Sequence, residues 1–265
     1  MDHHPVQRRQ LLLLRHLSPS HSSAVAVDVD VEELTIAAAQ AELQSMIGQP
    51  VSALDTPALF VDLEALESNI AQMSAQVKET GAVWRPHTKA IRSPALARML
   101  VDGGAVGVTC AKVSQAAVLV RGGVKDVLLA NEIVGPQKVS AMVALSKLCD
   151  RLTCACDNEE NLRAISAEAV AQQAQMSVLI DLNVGMNRCG IHFSKKDEIV
   201  MMAKLAMELP NLEFRGLMGY DGHAQGNTDI RTSQTQDSSD RLFAAKGWVV
   251  DAGLEVPLLS GCISH

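Results

Sequence analysis

The chain has 265 residues, 48% of them hydrophobic and 20% charged, a globular composition with room for one large α/β domain or two small ones. Aromatic residues make up only 3%, so a core of Ala, Val, Leu and Met suits helices packed on buried strands better than a β-sandwich. A net charge of −7 offers nucleic acid no basic face, and the "LLLL" at 11–14 is far short of the roughly 18 apolar residues that span a bilayer.

Residues 1–24 carry Arg8, Arg9 and Arg15 with Ser18, Ser20, Ser22 and Ser23, against a single acid, Asp2. An Arg-rich, Ser-rich, acid-poor leader has the character of a transit peptide for a mitochondrion or plastid. A disordered leader on a cytoplasmic protein is the other reading. Residues 25–55 read as a linker, with an acidic "DVDVEE" and a helix around 33–47. From Thr56 to residue 265 the pattern changes to one domain of alternating short apolar runs and amphipathic stretches. The runs are "ALFVD" (58–62), "AVWRP" (82–86), "VGVTC" (106–110), "DVLLA" (126–130), "LTCAC" (152–156), "SVLIDLN" (177–183), "FRGLMGY" (214–220) and "VPLLSG" (256–261). They show no clear alternation, as expected of strands buried on both faces of a parallel sheet. Between them lie helical segments such as "LEALESNIAQMSAQVKE", with Leu63, Leu66, Ile70, Met73 and Val77 at helical spacing. "DNEENLRAISAEAVAQQA" opens with an N-cap acid and a glutamate three residues later. Gly103-Gly104 and Gly122-Gly123 fall where helices need C-caps.

Repeated strand–helix alternation predicts a parallel α/β fold. No "GxGxxG" follows the first strand and no "GxxxxGK[ST]" occurs, so a (β/α)8 barrel fits at least as well as an open nucleotide-binding sheet. In a barrel, chemistry belongs at the carboxyl ends of the strands, which here carry "PHTK", "TCAK", "ANE", "NVGMNRCG", "YDGH" and "SG". Lys89 is the most telling of these residues. A lysine walled by strands beside His87 favours the neutral amine through desolvation, as Schiff-base chemistry requires. His87 is two residues from Lys89 on a strand, so both side chains are expected to leave the same face. The six cysteines sit mostly in apolar runs, as small buried hydrophobes in a reducing compartment do. Cys154 and Cys156 share a strand face, but no second Cys or His pair follows at zinc spacing.

The stretches "TPALFVDLEALESNIAQM", "RPHTKAIRSPALA", "GAVGVTCAKVSQAAVLVRGGVKDVLLANEIVG", "DLNVGMNRCGI" and "GLMGYDGH" together resemble the alanine-racemase-like barrel, the fold-type III class of pyridoxal 5'-phosphate (PLP) enzymes. Within that class they are most similar to the D-threonine aldolase group, whose relatives include D-3-hydroxyaspartate aldolases and D-serine dehydratases. The resemblance runs from Thr56 to about Gly261. It implies that Lys89 binds PLP as a Schiff base, that Arg188 approaches the cofactor's phenolic oxygen, and that Tyr220 packs against its ring. It also implies that Ser260 and Gly261 begin the phosphate loop. His87 is a candidate for proton handling or for orienting the substrate. Asp221 and His223 read as loop hydrogen-bonders.

The implied activity is a lyase cleaving D-β-hydroxy amino acids to glycine and an aldehyde. A D-serine or D-3-hydroxyaspartate dehydratase and a non-catalytic PLP-binding protein are the alternatives. The resemblance assigns the run at 58–62 to the sheet of the family's second, β-rich domain and the next seven runs to the barrel, "VPLLSG" being the seventh. The family pattern then continues into an eighth strand and the rest of that C-terminal domain, whereas this sequence reads "CISH" after Gly261. The expectation is therefore a C-terminally truncated (β/α)8 TIM-type barrel, inactive as it stands. The divalent metal of the group would lack its ligands, which the C-terminal domain supplies. The resemblance further implies a small D-amino acid as substrate and a homo-oligomer, a dimer in full-length relatives.

Overall fold

A computed structural model describes residue 41 and residues 44–261. The leader at 1–24, most of the linker helix expected at 33–47, and residues 262–265 with Cys262 lie outside the described residues. The chain divides into two compact units, 1–80 and 81–265.

In the first unit, α1 (Leu63–Glu79) starts at Asp62, whose side chain accepts a hydrogen bond from the Ala65 backbone N–H at 3.1 Å, satisfying one of the orphan donors of the first turn. No strand forms at 58–62. The run has no ladder partner among the described residues, and it ends in the residue that caps the helix.

The second unit is a parallel α/β layer. Its elements are α2 (Pro94–Asp102), β1 (Val108–Cys110), α3 (Val113–Arg121), β2 (Asp126–Glu132), α4 (Pro136–Ser146), β3 (Arg151–Cys156), α5 (Glu159–Ala171), β4 (Met176–Asn183), β5 (Ile191–His192), α6 (Lys196–Glu208), β6 (Leu212–Gly219), α7 (Thr228–Asp251) and β7 (Leu258–Gly261). The strands pair in the order β1-β2-β3-β4-β6-β7, all parallel. Short β5 pairs with the end of β4, Leu182 opposite Ile191. Residues 82–88 extend the sheet past β1 without forming a regular strand. There Val106 N–H donates to Trp84 O (3.1 Å), Thr109 N–H to Pro86 O (2.8 Å) and Thr88 N–H to Thr109 O (2.8 Å). His87 makes an isolated parallel bridge to Thr109. Pro86 has no N–H to give, so a regular ladder cannot form there. The half-barrel is therefore edged by 82–88 on one side and by β7 on the other.

The two sheet faces differ. On one, Val127, Leu129, Cys154, Val178 and Ile180 pack with Leu119, Met142, Ile165 and Met202 from the helices. The other holds a small cluster of strand residues alone, Leu128, Ala155, Leu179 and Met218, as an incipient barrel interior would. The described cysteines are free, and Cys110, Cys154 and Cys156 are buried. Burial pushes the Cys110 thiol up to about 12, which keeps it unreactive.

Gly216 shows how tightly the layer is drawn together. It follows a one-residue bulge in β6, where the partner register shifts between Val178 and Leu179, and it adopts φ 129°, a value an L-residue rarely takes. A Cβ there would overlap the Leu258 carbonyl of the neighbouring strand. Gly216→Ala is expected to destabilise the chain by about 3 kcal/mol through strain and loss of β7 docking. Urea unfolding checks this, and an unchanged midpoint would refute it.

At the amino end of the sheet, Asp126 accepts from Arg85 at 2.7 Å and lies 3.4 Å from Arg151. This bridge ties 82–88 to β2 and β3. Charged networks at this end serve stability, whereas the opposite end is where barrels carry chemistry.

Candidate active site

The strand–helix repeat brings every residue singled out from the sequence to the carboxyl end of the parallel sheet. Lys89 follows 82–88, Arg188 lies in the β4–β5 loop, Tyr220 follows β6, and Ser260 and Gly261 end β7.

Lys89 is exposed and lies in a turn over 88–91 rather than on a strand. The same-face argument for His87 and Lys89 therefore does not apply, and Lys89 is not walled in by strands as expected, because the chain turns out of the sheet before it. Instead His87 Nδ1 accepts the Lys89 backbone N–H at 3.2 Å, because the chain leaves the sheet at once after the bridge to Thr109. With Nδ1 as acceptor, the ring is neutral and carries its proton on Nε2. Burial lowers the His87 pKa, the charge of Lys89 lowers it further, and the Thr109 backbone opposes both. Among the described residues the Lys89 amine has no ion-pair or hydrogen-bond partner, so it is available to a ligand.

Arg188 lies over the Tyr220 ring with Cζ 4.8 Å from the centroid, a cation–π contact. The loop that carries it is pinned. Asn183 Oδ1 accepts from Gly185 N–H (3.1 Å) and Asn187 N–H (3.0 Å), and Arg241 of α7 donates to Val184 O at 2.7 Å. Gly190 N–H donates to Asp157 Oδ2 at 3.0 Å. Gly185, at φ 143°, leaves room for the His223 ring and Arg241. His223 and buried Asp221 thus belong to the turn after β6 that packs on this loop. Ser260 pairs with Met218 and Gly261 with Gly219, putting both at the mouth.

Sequence reasoning passed over one group at this end. Glu132 closes β2, Asp181 lies in β4 two residues past inward-facing Leu179, and Cys189 neighbours Arg188. One side-chain ligand atom from each lies within 4.8 Å of the others. Asp181 is only 3% exposed. The signal was an acid inside the apolar run "SVLIDLN", since Asp is almost never fully buried without a reason. Burial and the neighbouring Glu132 push Asp181 up to about 8, and burial pushes Cys189 up to about 11. Arg188, the chain neighbour of Cys189, brings a cation beside this cluster of two acids and a thiol.

The donor set matches PLP in its chemistry. An unpartnered primary amine suits an aldehyde, a tyrosine ring backed by a guanidinium suits a pyridine and its phenolic oxygen, and a serine–glycine strand end suits a phosphate. No helix among the described residues is long and apolar enough to cross a membrane.

Known proteins resemble this chain in sequence and in fold. The family model for the alanine racemase N-terminal domain matches residues 61–265. A 3-hydroxy-D-aspartate aldolase from Paracoccus denitrificans (strain Pd 1222) is 35% identical over 213 residues, covering 77% of this chain and 54% of the relative. A D-threonine aldolase from Arthrobacter sp. is 36% identical over 178 residues, covering 67% of this chain and 46% of the relative. The crystal structure of D-threonine aldolase from Filomicrobium marinum superposes with a TM-score of 0.76 at 34% identity, covering 80% of this chain and 57% of that one. The chain spans about half the length of the curated relatives it matches. On the match over 61–265 and on the parallel half-barrel itself, the chain belongs to the alanine racemase N-terminal domain family.

Proposed function

We propose that this chain supplies the PLP-binding barrel half of a D-threonine aldolase-like lyase, which cleaves D-β-hydroxy amino acids to glycine and an aldehyde. The observation that carries the reading is the convergence of Lys89, the Arg188–Tyr220 stack and the Ser260–Gly261 strand end at one end of the sheet. Similarity to proteins named D-threonine aldolase and 3-hydroxy-D-aspartate aldolase supports it. When bound, PLP supplies an electron sink for the bond broken at the substrate's α-carbon.

The chain's own residues bind and orient. Lys89 would hold the cofactor through its aldehyde group. Tyr220 would offer its ring to the pyridine. Arg188, kept over Tyr220 by the pinned loop, would supply a positive charge favouring an ionised phenolic oxygen. Ser260 and the Gly261 backbone would hold the phosphate. His87, tied through Nδ1 to the Lys89 backbone N–H, is the candidate to pass a proton near Lys89.

The test is protection from reductive labelling. Borohydride should fix PLP onto Lys89 of the full chain, and D-threonine added first should take Lys89 out of the adduct while L-threonine leaves it labelled. Label on Lys112 instead, or equal protection by both enantiomers, would overturn the reading.

A further inference from the structure

The acid pair at the strand ends has no place in the function just described, and its energetics ask for one. Glu132 Oε1 and Asp181 Oδ1 are both buried without a hydrogen-bond partner. The two residues come from strands on either side of β3. The charged and titratable groups around them are Asp157 and Cys156 at the end of β3, Arg188 and Cys189 in the β4–β5 loop, and Tyr220 after β6. Acids outnumber cations here. Asp157 accepts from Gly190, while Arg188, the one cation among these groups, faces Cys189 and Tyr220 and makes no ion pair with either carboxylate among the described residues. Two ionised carboxylates this close repel each other, and buried Asp181 and the buried Oε1 of half-exposed Glu132 lose hydration. One proton between them removes the second charge and provides the donor that both orphaned oxygens lack.

We infer that Glu132 and Asp181 share one proton and together act as a positioning pair that keeps Arg188 on the face of Tyr220. The coupling runs through Cys189, whose thiol lies within 4.8 Å of a carboxylate oxygen of each acid and whose chain neighbour is Arg188. With the proton present, the pair carries a single negative charge and Arg188 stays on the ring. With it lost, the second carboxylate draws the guanidinium off Tyr220 toward Asp181. The inference rests on the proposed PLP reading only in giving Arg188 a cofactor to meet.

Tyr220 is the sole tyrosine of the chain, so tyrosine-labelled protein gives one ring signal in an NMR spectrum. In the full chain without PLP, that signal is expected to shift with a midpoint near pH 8, where Asp181 titrates. It should stay flat through that range in Asp181→Asn and in Glu132→Gln, each of which fixes one partner in its neutral form. Infrared spectra of the wild type should show the C=O stretch of a protonated, buried carboxyl at neutral pH, lost in both variants. A Tyr220 signal that titrates unchanged in the variants, or no protonated carboxyl at neutral pH, would overturn the inference. Glu132→Gln carries the test by itself if Asp181→Asn does not fold. Neither readout needs the cofactor, so a negative result here is distinct from a failure of labelling at Lys89.

Discussion

Lys89→Ala is expected to abolish the visible absorbance band that PLP develops on this chain, and with it every borohydride-stable adduct. Lys89 leaves the sheet in a turn, with its amine exposed and unpartnered among the described residues. Lys112 is the nearest competitor by placement, at the carboxyl end of β1. Its residue, however, caps α3 with extended backbone (φ −137°, ψ 145°) and starts a helix leading away from the mouth. Without Lys89, the stack of Arg188 on Tyr220 and the Ser260–Gly261 strand end remain, and they offer only reversible contacts. Peptide mapping after reduction measures the outcome. A band that persists in Lys89→Ala, or an adduct that moves to Lys112 at full yield, would remove the central residue of the proposed site.

Asp181→Asn should make the chain more stable, and increasingly so as pH rises. The folded-state pKa of Asp181 is raised from 3.8 to about 8 by burial and by Glu132. Between those values the folded protein holds a proton that the unfolded chain has released, so stability falls as pH climbs through the window. The penalty is absent near pH 4 and complete above about pH 8. Asparagine keeps the shape, carries no charge and donates N–H to Glu132. The variant should gain on the order of 3 kcal/mol over wild type at pH 8 and nothing near pH 4. Urea unfolding at the two pH values measures the difference. A variant less stable than wild type at both would show that Asp181 is an ionised acid with a partner. A residue whose removal stabilises the fold is one that stability alone would not keep, and pKa values shifted this far gather at functional sites.

Much of the fold was legible because a parallel sheet writes itself as apolar runs. The expected strands at 126–130, 152–156 and 177–183 lie inside β2, β3 and β4, and the run at 256–261 contains β7. Helix α1 coincides with the periodic stretch that predicted it. The run at 58–62 forms no strand among the described residues, because an apolar composition does not by itself supply a ladder partner. The run at 82–86 held its place in the sheet but not a regular strand, because Pro86 interrupts the donors. Short β5 has only Ile191 and His192 and carries no pattern. Of the proposed site, Lys89 stood out as a lysine at the end of an apolar run, whereas Arg188, Tyr220, Ser260 and Gly261 were singled out by the family resemblance of the stretches that carry them. The Glu132–Asp181 pair did not, since its members lie far apart in sequence and meet only when β2 and β4 flank β3.

The strand order has a consequence for how the chain reaches its native state. From β1 to β4, and again from β6 to β7, each strand pairs with the next one to leave the ribosome. Every closing step then joins segments one strand–helix unit apart, so each loop closure is short and sequence separations stay small for a parallel sheet. The layer can grow from its amino-terminal side as synthesis proceeds, with each new unit docking on an edge already formed. Nascent chains arrested just after α5 should already protect the β1–β3 amides from hydrogen exchange, while chains arrested before α4 should not.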